Sequence, residues 1–349
     1  MFTQYYRLSG HPFQLTPDSR FYFGSQGHSR AFSHLVYGLS QEEGFIVITG
    51  EVGAGKTTIV EQLWAQLDRN TYVIGRIVTT QVAGDDLLRL AVASFGMVAE
   101  GVDKATLLRR MEQFFRDQRQ LGRRCVLVVD EVQNLSIPAL EELRMLSIIT
   151  IETGTGANQP GLQTILLGQP QFRRILANPE LEQLRQRVLA SYHLGPMSAT
   201  ETQAYIVHRM KRVGWLETPA WEDAAWDAMY RGSDGIPRRI NTLGSRVLLL
   251  AALEEAQLIT AQMVDATAAE MAGDLGGAGG PIAAPGSPMG GQSGTGAPSG
   301  ALANPAASFS PQDADLLRRV EVLEQTVLRQ GQIFRRLQEL MGTMMGAAR

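Results

Sequence analysis

A chain of 349 residues, 44% of them hydrophobic, is long enough for one sizeable α/β core plus a smaller module. Its 32 Lys and Arg against 35 Asp and Glu leave a net charge of −3, which excludes a global basic field for nucleic acid or anionic lipid and leaves only local basic patches open. The one cysteine, Cys125, excludes a disulfide framework within the chain and suits a reducing cytoplasm, and no run approaches ~18 apolar residues, so no spanning helix is expected.

The opening residues, Met1 to Arg7, lack the long apolar core of a secretory signal. Phe21-Tyr22-Phe23 and His28 precede the first helical pattern; an aromatic cluster there reads first as core and second as a wall for a nucleotide base. Phe45 to Thr49 is a continuous apolar run, expected as a buried strand. It leads into Gly50-Glu51-Val52-Gly53-Ala54-Gly55-Lys56-Thr57-Thr58, which fits G-x-x-x-x-G-K-[ST] at every fixed position. The pattern is a phosphate cradle. Glycines let backbone N–H groups wrap phosphates, the start of the next helix favours negative charge, Lys56 neutralises the terminal phosphates, and the Thr57 hydroxyl is a Mg²⁺ ligand. The apolar positions Ile59, Val60, Leu63 and Leu67 continue as a helix.

Thr71–Val78 is the next predicted strand, and Cys125–Val129 follows, ending in Asp130-Glu131. Two carboxylates at a strand's C-terminal end suit two tasks: Asp130 holds Mg²⁺, and Glu131 orients and polarises an attacking water. Further strands are expected at Gln163–Leu167 and Ser191–Leu194. Strands alternating with helices predict a parallel sheet with helices on both faces, and ATP at the strands' C-terminal edge. From Ser198 only helical periodicity is read, over 200–213, 221–231, 237–255 and 260–271, so residues 1–197 are expected as a P-loop core and 198–272 as a small helical lid. Tyr205 and Arg209, one helical turn apart, are candidates for the base pocket. His193 and His208 lack metal-ligand spacing and read as structural. Residues 273–312 are Gly, Ala, Pro and Ser-rich and read as a disordered linker. In 313–345, Leu316, Val320, Leu323, Val327, Phe334, Leu337 and Met341 fall on a 3-4 spacing that predicts a coiled-coil helix, weakened by Gln330 and Gly331, with an amphipathic helix docked on the globular part as the alternative.

The order of motifs resembles the AAA+ ATPases of general secretion, the ExeA/GspA type: the P-loop, then Asp130-Glu131-Val132-Gln133-Asn134-Leu135, then Leu166-Leu167-Gly168-Gln169-Pro170, then Leu184-Arg185-Gln186-Arg187-Val188, then Gly235-Ile236-Pro237-Arg238-Arg239-Ile240-Asn241. The opening Tyr6, Leu8, Pro12-Phe13, Leu15 and Pro17-Asp18 fits as well, and the resemblance spans about residues 1–272. Within that type the sequence is similar to the ATPases of exosortase (XrtA)/PEP-CTERM and exopolysaccharide loci. The resemblance implies that Gln169 is a first sensor of the γ-phosphate, Arg238 a second sensor carried by the lid, and Arg185 or Arg187 an arginine finger reaching a neighbouring subunit's site; a guanidinium suits such roles because it stays charged and is planar.

The expected function is therefore an ATPase that uses ATP and Mg²⁺ to rearrange an export or polysaccharide-assembly complex. Self-association and recruitment by membrane-bound partners through the C-terminal helix are expected, with a cytoplasmic location at the inner membrane's periphery. No stretch reads as the membrane span and periplasmic module that such ATPases carry. Two other functions stay open: a DNA-associated regulator of the TniB or origin-recognition kind, and a scaffold gated by nucleotide binding alone. The second carboxylate, Glu131, weighs against the scaffold.

Overall fold

In this computed structural model, residues 2–276 are described apart from 17, 69, 79–83 and 153–157. In chain order the elements are α1 (Phe2–Tyr5), α2 (Gln26–Ser40), β1 (Phe45–Gly50), α3 (Lys56–Gln66), β2 (Tyr72–Val78), α4 (Gly84–Ser94), α5 (Lys104–Gln120), β3 (Arg124–Asp130), α6 (Ile137–Ser147), β4 (Thr150–Glu152), β5 (Asn158–Pro160), β6 (Leu162–Gly168), α7 (Gln171–Leu176), α8 (Glu182–Arg185), β7 (Val188–Leu194), α9 (Ala199–Arg212), β8 (Ala220–Trp221), α10 (Asp223–Ser233), α11 (Pro237–Leu253), β9 (Leu258–Ile259) and α12 (Ala261–Gly276).

Five strands make one parallel sheet in the order β2-β3-β6-β1-β7. Val47 of β1 stands opposite Leu166 of β6 on one side and Ser191 of β7 on the other, while Leu127 of β3 stands opposite Thr164 of β6. Period-two alternation divides each strand between two cores. Phe45, Val47, Leu127, Val129 and Leu166 pack with Leu87, Leu107, Met111, Leu140 and Leu143 of the helices on one face. Ile46, Ile48, Val126, Val128, Ile165 and Leu167 pack with Ala31, Leu35, Ile59, Val60 and Leu63 of α2 and α3 on the other. That double coverage is why β1, β3 and β6 are mostly apolar on both faces, each fully buried Leu, Ile or Phe contributing roughly 1.5–3 kcal/mol. The architecture is the AAA-type α/β fold, and every P-loop and carboxylate motif lies at the strands' C-terminal ends, where parallel sheets bind ligands.

A third core belongs to α9–α12, where Ile206, Met210, Met229, Ile240, Leu243, Val247 and Val264 are buried together. Phe2, Tyr6, Leu8 and Phe13 join this cluster, so the start of the chain and its later helices share one interior. A Cβ at Gly244 would lie 2.8 Å from the ring of Phe13, which is the physical reason for a glycine within α11. A capping box, Ser198 with Glu201, starts α9, and Pro237 starts α11.

Several expectations are corrected. The region after Ser198 is not helical throughout, since β8 and β9 form a two-residue parallel pairing, with Ala220 opposite Leu258 and Trp221 opposite Ile259. The helix expected from Trp221 begins instead at Asp223, because Trp221 lies in that pairing. The antiparallel pair β4 and β5 was not expected; at three residues each, these strands carry no readable period. The last helix reaches Gly276, past Met271 and into the segment expected as linker. The rest of that segment, and the expected coiled coil at 313–345, lie outside the described residues.

Candidate functional site

β1 ends at Gly50, and the chain turns through residues 51–55 into α3. Gly53 (φ 80°) and Gly55 (φ 101°) take left-handed backbone that a side chain would strain. Space closes the same positions: a Cβ on Gly53 would overlap the Cβ of Arg238, and one on Gly55 would lie 2.6 Å from His28 Nε2. The first turn of α3 leaves N–H groups without intrahelical partners and carries partial positive charge, so this helix start suits an anion.

Lys56, 6% exposed, donates from Nζ to the carbonyls of Gly50 (2.8 Å) and Glu51 (3.0 Å). Burial lowers its pKa from the usual lysine value, against the pull of Glu131, Asp130 and Glu51. Thr57 Oγ1 donates to Asp130 Oδ2 at 2.8 Å, tying the start of α3 to the end of β3. Glu131, next in the chain, adopts a left-handed φ of 51°. Its Oε2 accepts from Gln133 Nε2 at 2.6 Å and from Gln169 Nε2 at 3.1 Å, and Gln133 Oε1 in turn accepts from Gln169 N at 2.9 Å. Burial pushes the Glu131 pKa up, but the two amide donors and Lys56 outweigh it, and the carboxyl sits below its ordinary value. Glu131 is therefore a held carboxylate.

A cavity of about 370 Å³ opens over this arrangement. Val52, Gly53, Gly55, Lys56, Thr57 and Thr58 of the loop and α3, Glu131 after β3, and Tyr205, Arg209, Pro237, Arg238 and Asn241 of the later helices line it. Phe21, Tyr22, Phe23 and His28 complete the wall. Gly50, Glu51 and Ala54 of the same motif are not among the residues that line the cavity. Arg238 is fixed against the loop by its own N–H, which donates to the Gly53 carbonyl at 3.2 Å. Arg209, 6% exposed, donates to the carbonyls of Pro12 (2.7 Å) and Gln14 (3.2 Å) and to the Tyr205 hydroxyl (2.6 Å), with its guanidinium 4.7 Å from the Phe21 ring centroid. The Tyr205 hydroxyl donates to Asn241 Oδ1 at 3.0 Å.

The structure thus brings together Lys56, Thr57, Asp130, Glu131, Gln169 and Arg238. It does not bring Arg185 or Arg187 to this cavity: Arg185 pairs with Glu182, and Arg187 reaches the Ser147 carbonyl at 3.5 Å. His193 Nδ1 lies 3.1 Å from Thr49 Oγ1, and His208 packs on Phe23 with ring centroids 5.7 Å apart, both structural contacts. Gln133 and Asn241 were given no role in the sequence reading. Gln133 follows the carboxylate pair by two residues, but nothing in a lone Gln at that spacing says which atom it holds.

Among the described residues no group of three or more His, Cys, Asp and Glu could hold a metal ion. Thr57 and Asp130 nevertheless offer two oxygen donors 2.8 Å apart, a set that fits Mg²⁺ when phosphate and water oxygens supply the remaining positions. The glycine cradle and the aromatic wall fit a triphosphate and a planar base.

Comparison with known proteins agrees with this geometry. Residues 39–176 match the family model described as an AAA domain. General secretion pathway protein A of Aeromonas hydrophila is 36% identical over 255 residues, which is 72% of this chain and 45% of that protein; the chain thus spans about half the length of this relative. Among solved structures, the ORC2 protein of Aeropyrum pernix in its ADPNP-ADP complexes superposes with a TM-score of 0.56 at 16% identity, covering 74% of this chain and 71% of that one. Drosophila ORC bound to DNA gives a TM-score of 0.54 at 15% identity, covering 79% and 67%. Cdc6p from Pyrobaculum aerophilum gives 0.54 at 15%, covering 70% and 68%; at such identities the likeness is one of fold. The chain belongs to the AAA family and, within it, to the type of general secretion pathway protein A.

Proposed function

We propose that this protein binds ATP with Mg²⁺ and hydrolyses it. The observation that carries the proposal is the Thr57–Asp130 contact, which joins the phosphate cradle after β1 to the carboxylates at the end of β3 in one site. Lys56 and the loop amides bind and orient the phosphates, Thr57 and Asp130 would hold Mg²⁺, and bound Mg²⁺ supplies charge neutralisation on the phosphate oxygens. Glu131, held ionised by Gln133 and Gln169, accepts a hydrogen bond from the attacking water and sets its line of approach. Gln169 stands beside that water's position as the γ-phosphate sensor, and Arg238, seated on Gly53, couples the α11 end to the loop. Arg185 or Arg187 acts as a finger toward a neighbouring copy.

The division of the chain into a core of 1–197 and a lid of 198–272 belongs to the same proposal, as do the linker and the coiled-coil segment. The name of the Aeromonas relative supports a role in secretion, and we extend it to rearrangement of a membrane-bound export, exosortase-linked or polysaccharide-assembly complex recruited from the cytoplasmic side. Among the described residues no helix is long and apolar enough to cross a membrane. The test is phosphate release from ATP by the purified chain with Mg²⁺ and with excess chelator: turnover that the chelator abolishes is expected, and a chain that neither binds nor turns over ATP would reject the proposal.

A further inference from the structure

His28 sits beneath the phosphate cradle without belonging to its motif. Its ring is 6% exposed, and so is almost wholly withdrawn from water. Nδ1 lies 2.7 Å from the hydroxyl of Ser25, itself 4% exposed. Nε2 faces the loop at Gly55, where an added Cβ would meet it at 2.6 Å. Burial lowers the pKa of the ring, and the adjoining Ala54 backbone acts against it. A backbone group that favours the charged imidazole is an acceptor, which points to the Ala54 carbonyl, since the Ala54 N–H is given to Glu51 O at 3.1 Å. With Ser25 taking Nδ1, Nε2 is left to reach it.

The local bonds also decide which nitrogen bears the proton. As the cap of α2, the Ser25 oxygen accepts the His28 N–H at 3.2 Å, so its own hydrogen is available for Nδ1. An imidazole that accepts at Nδ1 carries its hydrogen at Nε2 and donates there. Each of the donors and acceptors in this chain, from the Ser25 hydroxyl through the ring to the Ala54 carbonyl, is thereby used once. The start of α2 is pinned in turn: the Gln26 N–H donates to Glu201 Oε1 at 2.8 Å, and Glu201 Oε2 accepts the Ser198 N–H at 3.0 Å at the head of α9.

We propose that His28 is a positioning residue for phosphate binding, holding the Ala54 carbonyl down through Nε2–H so that the loop keeps the shape its two left-handed glycines set. The proposal rests on the ATP-binding reading of the same site. Directing a peptide's carbonyl away from a ligand turns the following N–H toward it, so this grip on Ala54 sets the aim of the Gly55 amide. A buried carbonyl left without its donor would be satisfied only if the loop moved.

Two substitutions separate this role from simple packing. In His28→Gln the side-chain amide nitrogen reaches the place of Nε2 and can still donate to Ala54; in His28→Asn the amide stops at the place of Nδ1 and cannot. Binding of a fluorescent ATP analogue and its displacement by inorganic tripolyphosphate are measured on the full chain, with thermal melting as a check on folding. We expect His28→Asn to weaken both ligands by about tenfold, and His28→Gln to stay within about threefold of the original chain. Equal affinities for His28→Asn and the original chain would overturn the proposal. So would a loss confined to the nucleotide with tripolyphosphate unchanged, which would make His28 a contact to the base, or a His28→Gln loss as large as that of His28→Asn. If His28→Asn does not fold, Ser25→Ala, which frees the ring to exchange its proton between nitrogens, carries the test: a several-fold loss on tripolyphosphate is expected, and none would overturn the proposal. A wild-type chain that binds neither ligand defeats the ATP reading itself, an outcome distinct from a wild type that binds and a His28→Asn chain that binds equally well.

Discussion

Gln133 Nε2 donates to Glu131 Oε2 across 2.6 Å, and the other end of the same amide accepts the N–H of Gln169 at 2.9 Å. One side chain thus ties the carboxylate to the first residue after β6. We predict that Gln133→Ala lowers kcat by roughly tenfold with KM changed by less than about threefold, because it removes orientation and leaves the phosphate cradle intact. Losing an amide donor to the ionised carboxyl also raises the Glu131 pKa, so the acid limb of the pH–rate profile should move to higher pH. A profile that does not move, with kcat unchanged, would remove Gln133 from the site.

Arg185 and Arg187 lie away from the cavity of their own chain, with Arg185 paired to Glu182. If either serves a neighbouring copy, Arg185→Ala/Arg187→Ala protein, inactive alone, should regain activity when mixed with inactive Glu131→Gln protein, since mixed contacts restore one complete site. No regain at any concentration, with co-assembly shown by light scattering, would contradict the shared site.

Three histidines have pKa values lowered chiefly by burial: His28, His193 and His208, the last two also by nearby arginines. The unfolded chain therefore takes up protons near pH 6.5 while the folded chain does not, so stability is full above that pH and falls as pH drops through the window below it. Thermal melting should show a midpoint several degrees lower at pH 5.5 than at 7.5, and His28→Gln should flatten part of that slope. A midpoint independent of pH across this range would contradict the buried neutral rings.

The heptad-patterned residues 313–345 lead us to expect that truncation after Gly276 preserves ATPase activity per subunit and reduces self-association or partner recruitment. The cut belongs after Gly276 because α12 runs that far and buries Val264 and Thr267. Light scattering and turnover measured side by side decide it; an unfolded product or an unchanged assembly state would contradict the expectation.

Sequence alone marks β1, β3 and β6 to within a residue at each end, because both faces of each strand are buried and its run of side chains is mostly apolar, with Gln163 and Thr164 as buried polar exceptions in β6. β7, an edge strand with alternating exposure, begins three residues before its expected start at Ser191, since a half-solvated strand shows no such run. Lys56, Thr57, Asp130 and Glu131 were legible because phosphate chemistry requires those residue types at fixed spacings beside strand ends. Gln133, Asn241 and the placement of His28 against the loop at Gly55 were not. Nor were the contacts of Arg209 with Pro12 and Gln14, which join residues some 195 positions apart and have no local period to announce them.

The central claim is that Lys56 binds phosphate while Glu131 serves the water, and paired measurement of ATP affinity and phosphate release on Lys56→Ala and Glu131→Gln tests it most directly. We expect Lys56→Ala to lose ATP binding by roughly a hundredfold or more, and Glu131→Gln to bind ATP like the original chain while its turnover falls by about 10²–10⁴. Glu131→Gln turning over at the original rate, or Lys56→Ala binding ATP unimpaired, would contradict it.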